Sequence, residues 1–271
     1  MSTFLSRILD TKREEVALRR SQVPSLIIPG DLPACRGFRR AIAEAEGLAV
    51  IAEFKKASPS KGAIAPHLDP VEMATSYASA GATAVSVLTD SRYFQGSLAD
   101  LERVRAAVDI PVLRKDFIID EVQIWDARMA GADAVLLIAA ALDPERMREL
   151  SHYAKSIGLD VLVEVHAVDE LPAALAAEPS VLGVNNRNLH TFEVDLETTR
   201  QVLRHVPRDV VVIAESGVHS EADAAFLAAS GARGILVGEA LMRSGGPGGA
   251  AAEVARFARA GIGGHRLEGA R

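Results

Sequence analysis

Cysteine is almost missing from this chain. Cys35 is the only one among 271 residues, so no intrachain disulfide and no cysteine-rich metal centre is possible. A secretory signal is missing as well: Met1 to Arg7 holds no long apolar core. Together these absences point to a reducing cytoplasm. No stretch approaches the ~20 apolar residues of a membrane helix. There is no basic excess either. The formal net charge is -6, whereas nucleic-acid and membrane-surface binders normally carry a basic stripe. Metal-ligand spacing of the H-E-x-x-H kind does not occur. His67, His152, His166, His190, His205, His219 and His265 are scattered and read as non-ligands. The partner expected from these exclusions is a small molecule, and the chain is read as a monomer or weak homo-oligomer.

What is present is ordinary globular composition, 49 % hydrophobic and 24 % charged, arranged in a repeating order. Apolar or β-branched runs at 49–54, 84–88, 111–115, 134–138, 161–165, 181–185, 210–214 and 235–238 predict eight strands. Helical stretches follow them, near 70–80, 98–107, 120–130, 144–157, 168–177, 196–205, 220–230 and 248–260. Asp69-Pro70-Val71-Glu72 is a helix start, with an acidic cap and proline at the first helical position. Ala80-Gly81-Ala82, Ala130-Gly131-Ala132 and Ser230-Gly231-Ala232 share one form, in which glycine stops a helix just before a strand. Eight such rounds predict a (β/α)8 TIM barrel over 48–260. No G-x-G-x-x-G follows the first strand, which weakens a dinucleotide-binding alternative. Residues 1–47 read as an N-terminal helical extension. In it a helix over 3–20 places Leu5, Ile8, Leu9, Lys12 and Val16 near one stripe, and a short second helix spans 38–46. The run Gly245 to Gly249 reads as a linker, and 261–271 as a tail.

In such a barrel the active site lies at the carboxyl ends of the strands. Strands alternate their faces, so Ala49, Ile51, Glu53 and Lys55 share one side. By the same rule Lys115 points inward with Leu113, and Glu164 with Leu162. Asn185 and Glu215 end the sixth and seventh strands. The fourth strand is wholly apolar and reads as wall. Burying unpaired charge is costly, so these convergent groups form either a functional site or a structural ion-pair network. The cluster logic favours the site. Ser216-Gly217 and Gly238-Glu239 put glycine where backbone N–H groups can approach a phosphate. Arg187 offers a fixed cation, and the loop after the first strand, with Ser58, is long enough to close over a ligand.

Several long motifs then resemble the indole-3-glycerol-phosphate synthase family. They are Ile51-Ala-Glu-Phe-Lys-Lys-Ala-Ser-Pro-Ser-Lys-Gly62, Val112-Leu-Arg-Lys-Asp-Phe117, Val163-Glu-Val-His166, Gly183-Val-Asn-Asn-Arg-Asn-Leu189 and Ala214-Glu-Ser-Gly-Val218. The resemblance implies a barrel that closes an indole ring without cofactor or metal, acting on 1-(2-carboxyphenylamino)-1-deoxyribulose 5-phosphate. It implies Glu53, Lys55, Lys115, Glu164, Asn185 and Glu215 as catalytic residues. Ser58, Phe117, Arg187 and Leu236 would bind substrate, and Ser216, Gly217, Gly238 and Glu239 the phosphate. Glu239 stands where members of the family carry serine, so its side chain is expected to turn away and leave its N–H. An inward lysine also suits a Schiff-base aldolase or another phosphate-binding barrel enzyme. A non-catalytic barrel that only binds an aryl-sugar phosphate or a partner protein is the alternative outside catalysis.

Overall fold

The computed structural model describes residues 3–260 apart from 24, 60 and 190. The expected tail at 261–271 and two of the histidines, His190 and His265, lie outside the described residues. Eight parallel strands close into a barrel: Ala49–Phe54, Ala84–Leu88, Val112–Lys115, Ala134–Ile138, Asp160–Val165, Val181–Asn185, Val212–Glu215 and Gly234–Val237. The circle closes on the first strand, where Ala49 pairs with Gly234 of the last and Ile51 with Ala84 of the second. Helices Pro70–Ser79, Leu98–Ala107, Glu121–Met129, Pro144–Ser156, Leu171–Ala176, Glu197–Leu203, Glu221–Ala229 and Pro247–Ala260 surround it. Asp69 caps the first of these by accepting from the N–H groups of Val71 and Glu72. The glycine stops work through left-handed backbone, as at Gly131 with φ 84°. None of the described helices is long and apolar enough to cross a membrane.

The structure departs from the sequence reading in three places. The loop after the first strand folds into a small hairpin, Ala57–Ser58 against Gly62–Ala63. A short helix, Glu239–Met242, follows the last strand. The glycine run read as a linker is half helical, since the closing helix begins at Pro247 and contains Gly248 and Gly249. Ala250, Val254 and Phe257 are fully buried at helical spacing, and tertiary burial of that face outweighs the ~1 kcal/mol that each helical glycine costs.

Two helices of the extension bracket the barrel. Phe38 and Ile42, from Phe38–Glu44, join the interior cluster with Ala49 and Val181 at the strand starts and so plug the bottom. The first helix, Phe4–Gln22, lies across the other end. Its stripe carries Ile8 inward, and beside it Lys12 is only 3 % exposed. The Lys12 ammonium sits 2.7 Å from Asp90 and 2.9 Å from Asp116, carboxylates that follow the second and third strands. Arg114 and Thr89 also bind Asp116, at 2.9 and 2.6 Å. Burial would pull the Lys12 pKa down, but Asp116 and Asp90 overcome it and hold it above the usual lysine range. Arg19 to Asp126 at 2.7 Å and Arg20 to Asp120 at 2.8 Å fasten the outer end of the helix.

Removing one partner of a buried ion cluster strands the others in a poor solvent. Lys12→Met should therefore cost about 3–5 kcal/mol, read by urea denaturation, with hydrogen exchange accelerated first in 4–22. A variant within about 0.5 kcal/mol of wild type, the range of an ordinary surface change, would show that the cluster does not hold the helix.

Candidate active site

Four charged side chains crown the barrel interior, one from each alternate strand. They are Glu53, Lys115, Glu164 and Glu215, from the first, third, fifth and seventh strands. Alternate strands are the ones that fill a single layer of such a barrel. Two residues earlier on the same strands stand Ile51, Leu113, Leu162 and Ile213, all fully buried. The layer that would complete an apolar core is thus replaced by ionisable groups.

The Lys115 ammonium is the hub. It lies 3.0 Å from Glu164 Oε2 and 3.0 Å from Glu215 Oε2. Burial would lower its pKa, but Glu164, Glu215 and Glu53 outweigh that and hold it above the usual range. Glu164 is 3 % exposed. Burial favours its neutral form, yet Lys115 and His166 keep it well below the ordinary carboxylate range. Glu215 goes the other way. Burial, reinforced by the negative Glu164, pushes it up to about 7 against the pull of Lys115. Lys55 leaves the first strand and pairs with Glu53 at 2.6 Å. This pair is no surface contact, because Glu53 is 4 % exposed.

All of the residues singled out from the sequence line one cavity of about 200 Å³. Ser58 enters it from the hairpin, and Phe117, packed 6.0 Å from Phe94 between ring centroids, forms part of its apolar wall with Leu236. Phe4, Leu5 and Ile8 of the first helix complete the roof. Asn185 fixes the turn behind it by accepting from the Arg187 N–H at 3.0 Å. The Arg187 guanidinium donates to the Phe192 carbonyl at 3.1 Å. Ser216 takes left-handed backbone, φ 65°, followed by Gly217 at 85°. Asn186, 2 % exposed, holds this turn by donating to the Ser216 carbonyl at 3.2 Å.

Glu239 opens the short helix after the last strand at the edge of the cavity, and its carboxylate lies 3.6 Å from Lys61 and 3.1 Å from Arg243. Two glycines have a role that their sequence positions do not show. Gly183 and Gly238, the latter expected only at the phosphate, leave room for carboxylates: a Cβ on Gly183 would stand 2.2 Å from Glu215 Oε1, and one on Gly238 would stand 2.4 Å from Glu53 Oε1. His166, set aside for lack of ligand spacing, lies against Glu164 at 3.3 Å. Only its place two residues past Glu164 could have given it away. Among the described residues no cluster of three or more His, Cys, Asp or Glu side chains suits a metal.

Residues 5–254 match a family model described as indole-3-glycerol phosphate synthase. A relative of that name from Oceanobacillus iheyensis is 51 % identical over 246 residues, 89 % of this chain and 92 % of its own. Another, from Burkholderia vietnamiensis, is 50 % identical over 259 residues, 94 % of this chain and 99 % of its own. A solved thiamine phosphate pyrophosphorylase from Pyrococcus furiosus aligns with a TM-score of 0.60 at 17 % identity, over 82 % of this chain and 96 % of that one. At that identity the likeness speaks for the fold alone.

The Glu215 environment has a thermodynamic signature. Its folded pKa, about 7, lies above the ordinary glutamate value of 4.5, so ionisation costs stability. Relative to Glu215→Gln, the wild type should lose stability as pH rises from about 4.5 to about 7, and the difference should then level off. Urea denaturation across that range measures the slope, and a slope of opposite sign would place Glu215 with the ordinary paired carboxylates.

Proposed function

The chain belongs to the indole-3-glycerol phosphate synthase family, and from that premise we propose how its barrel mouth carries out the reaction. The reaction is the decarboxylating, dehydrating ring closure of 1-(2-carboxyphenylamino)-1-deoxyribulose 5-phosphate to indole-3-glycerol phosphate, CO2 and water. The observation that carries the assignment is the Lys115 ammonium held 3.0 Å from each of two buried carboxylates.

The ring carbon of the anthranilate must attack the ketone of the sugar chain, and the developing alkoxide must be protonated. Lys115 donates that proton. An alkoxide is a stronger base than an amine, so a lysine held above its usual range still delivers it. Glu215 orients Lys115 for the transfer. Attack leaves a cationic ring, and Glu164, kept ionised in a water-poor site, stabilises that charge until CO2 departs. Dehydration needs a donor for the leaving hydroxyl and a base for the ring proton. The Lys55–Glu53 pair supplies both, and Lys55 also meets the substrate carboxylate beforehand. Asn185 binds a hydroxyl, Ser58 lies along the bound chain, and Phe117 and Leu236 flank its apolar part. The phosphate takes the N–H groups of Ser216, Gly217, Gly238 and Glu239, with Arg187 as cation. Residues 48–260 are the barrel that does the chemistry, and 1–47 roof and plug it. We further take the protein to work in the cytoplasm, as a monomer or weak homo-oligomer.

One feature disfavours a Schiff-base aldolase. An amine held protonated by two carboxylates is a poor nucleophile toward a carbonyl. Borohydride with a ketose phosphate should therefore trap no adduct at Lys115.

The decisive assay incubates the protein with the carboxyphenylamino substrate and follows indole fluorescence. Lys115→Met and Glu164→Gln should each lower kcat by about 10²-fold or more, with the fold intact. Arg187→Ala, which removes the cation assigned to the phosphate, should mainly raise KM. Near-normal turnover in Lys115→Met would reject its role as the acid.

A further inference from the structure

One buried ionisable group next to this machinery has no part in the steps above. His166 follows the fifth strand, and its side chain is 10 % exposed. The ring does not line the cavity, whereas Glu164 does, so His166 stands behind the carboxylate and away from the substrate. Its Nε2 is 3.3 Å from Glu164 Oε1. On its far side Nδ1 is 3.6 Å from Glu170 Oε2, and the same Glu170 oxygen accepts the backbone N–H of His166 at 2.6 Å. Glu164 therefore meets a cation at each oxygen, Lys115 on Oε2 and His166 on Oε1.

Resting on the ring-closure reading, we propose that His166 is a positioning residue whose ring, set within ion-pair range of both Glu164 and Glu170, keeps Glu164 oriented and charged while Lys115 is without its proton. The need arises within one step. When the Lys115 N–H bond breaks and the alkoxide O–H bond forms, Lys115 becomes a neutral amine. Glu164 then loses its permanent counter-charge and is left with only the transient charge of the ring, which vanishes as CO2 departs. In a dry site a carboxylate deprived of its cation tends to take up a proton, and a neutral acid would no longer stabilise the ring. His166 remains charged throughout and prevents that uptake.

The charge state fits this task. Burial favours neutral imidazole, but Glu164 and Glu170 outweigh it and push the His166 pKa up to about 10. The carboxylates facing the ring are these two, from the strand and from the 3-10 turn Val168–Glu170 that follows it, with Lys115 and Glu215 lying beyond Glu164. Glu164 also sits in contact with the strand before it, where Ile138 pairs with it and brings no charge.

The test compares wild type, His166→Gln, His166→Leu and Glu170→Gln by steady-state kinetics from pH 3 to 9, following indole formation. His166→Gln keeps an N–H donor without the charge and guards against a folding failure in the leucine variant. Both His166 variants should lower kcat by about 10- to 100-fold while KM changes by less than about threefold, the pattern of an interaction made in the transition state. The acid limb of kcat should move up by about one pH unit or more, because Glu164 has lost a cation. Glu170→Gln should give the same changes in milder form. In wild type, 15N-detected NMR should find both ring nitrogens of His166 protonated at pH 8. A wild-type kcat and acid limb in His166→Gln, or a neutral ring at pH 8, would overturn the proposal. A wild type that forms no indole product would instead overturn the ring-closure reading, so the two failures are distinguishable.

Discussion

Lys115 reaches from the third strand to carboxylates on the fifth and seventh, and only a closed barrel brings those inner faces within 3.0 Å of one ammonium. An open sheet would hold alternate strands about 10 Å apart. Here closure folds the sheet onto itself, so that groups far apart along the chain share one small volume. Every other property of the mouth follows from this convergence. The same low-dielectric setting raises Glu215, lowers Glu164 and keeps Lys115 charged, since each group feels a different balance of burial and neighbours.

The extension completes what the barrel leaves open. Below, Phe38 and Ile42 fill the space under the apolar layer. Above, Phe4, Leu5 and Ile8 cover part of the cavity. The anchor for this roof, Asp116, directly follows Lys115 in sequence, and its carboxylate reaches Lys12 of the first helix. At the strand end Lys115 serves the mouth, while Asp116 binds Lys12, Arg114 and Thr89. Docking of the first helix and placement of the hub thus depend on the same two-residue turn.

Much of this was legible in the sequence because two rules do most of the work. Apolar runs at regular intervals gave strands close to those observed, and alternation of faces put Glu53, Lys115 and Glu164 inward. The residues that line the cavity were reachable by reading strand ends. What was hidden were the contacts behind them. Lys12 was visible in an apolar stripe, but its two buried carboxylate partners lie 78 and 104 positions away by number and carry no local signal. His166 met no metal template, and its actual partner is the neighbouring inward acid. The helix expected near 248–260 was legible, but its first turn runs through the glycine pair 248–249 that reads locally as linker, and the burial of Ala250, Val254 and Phe257 explains the extension. Two-residue strands such as Ala57–Ser58 are too short to show a period.

Gly183 and Gly238 give the mouth a further property. Each is a hollow on one strand shaped to the carboxylate of the next, Glu215 and Glu53 respectively. The smallest transplantable unit of this chemistry is therefore larger than its set of reactive groups. A designer moving these acids onto another barrel would have to carry the two empty positions along with them, since a methyl at either place would evict the oxygen it faces. Half of what makes each of these acids work is the absence of an atom on an adjacent strand.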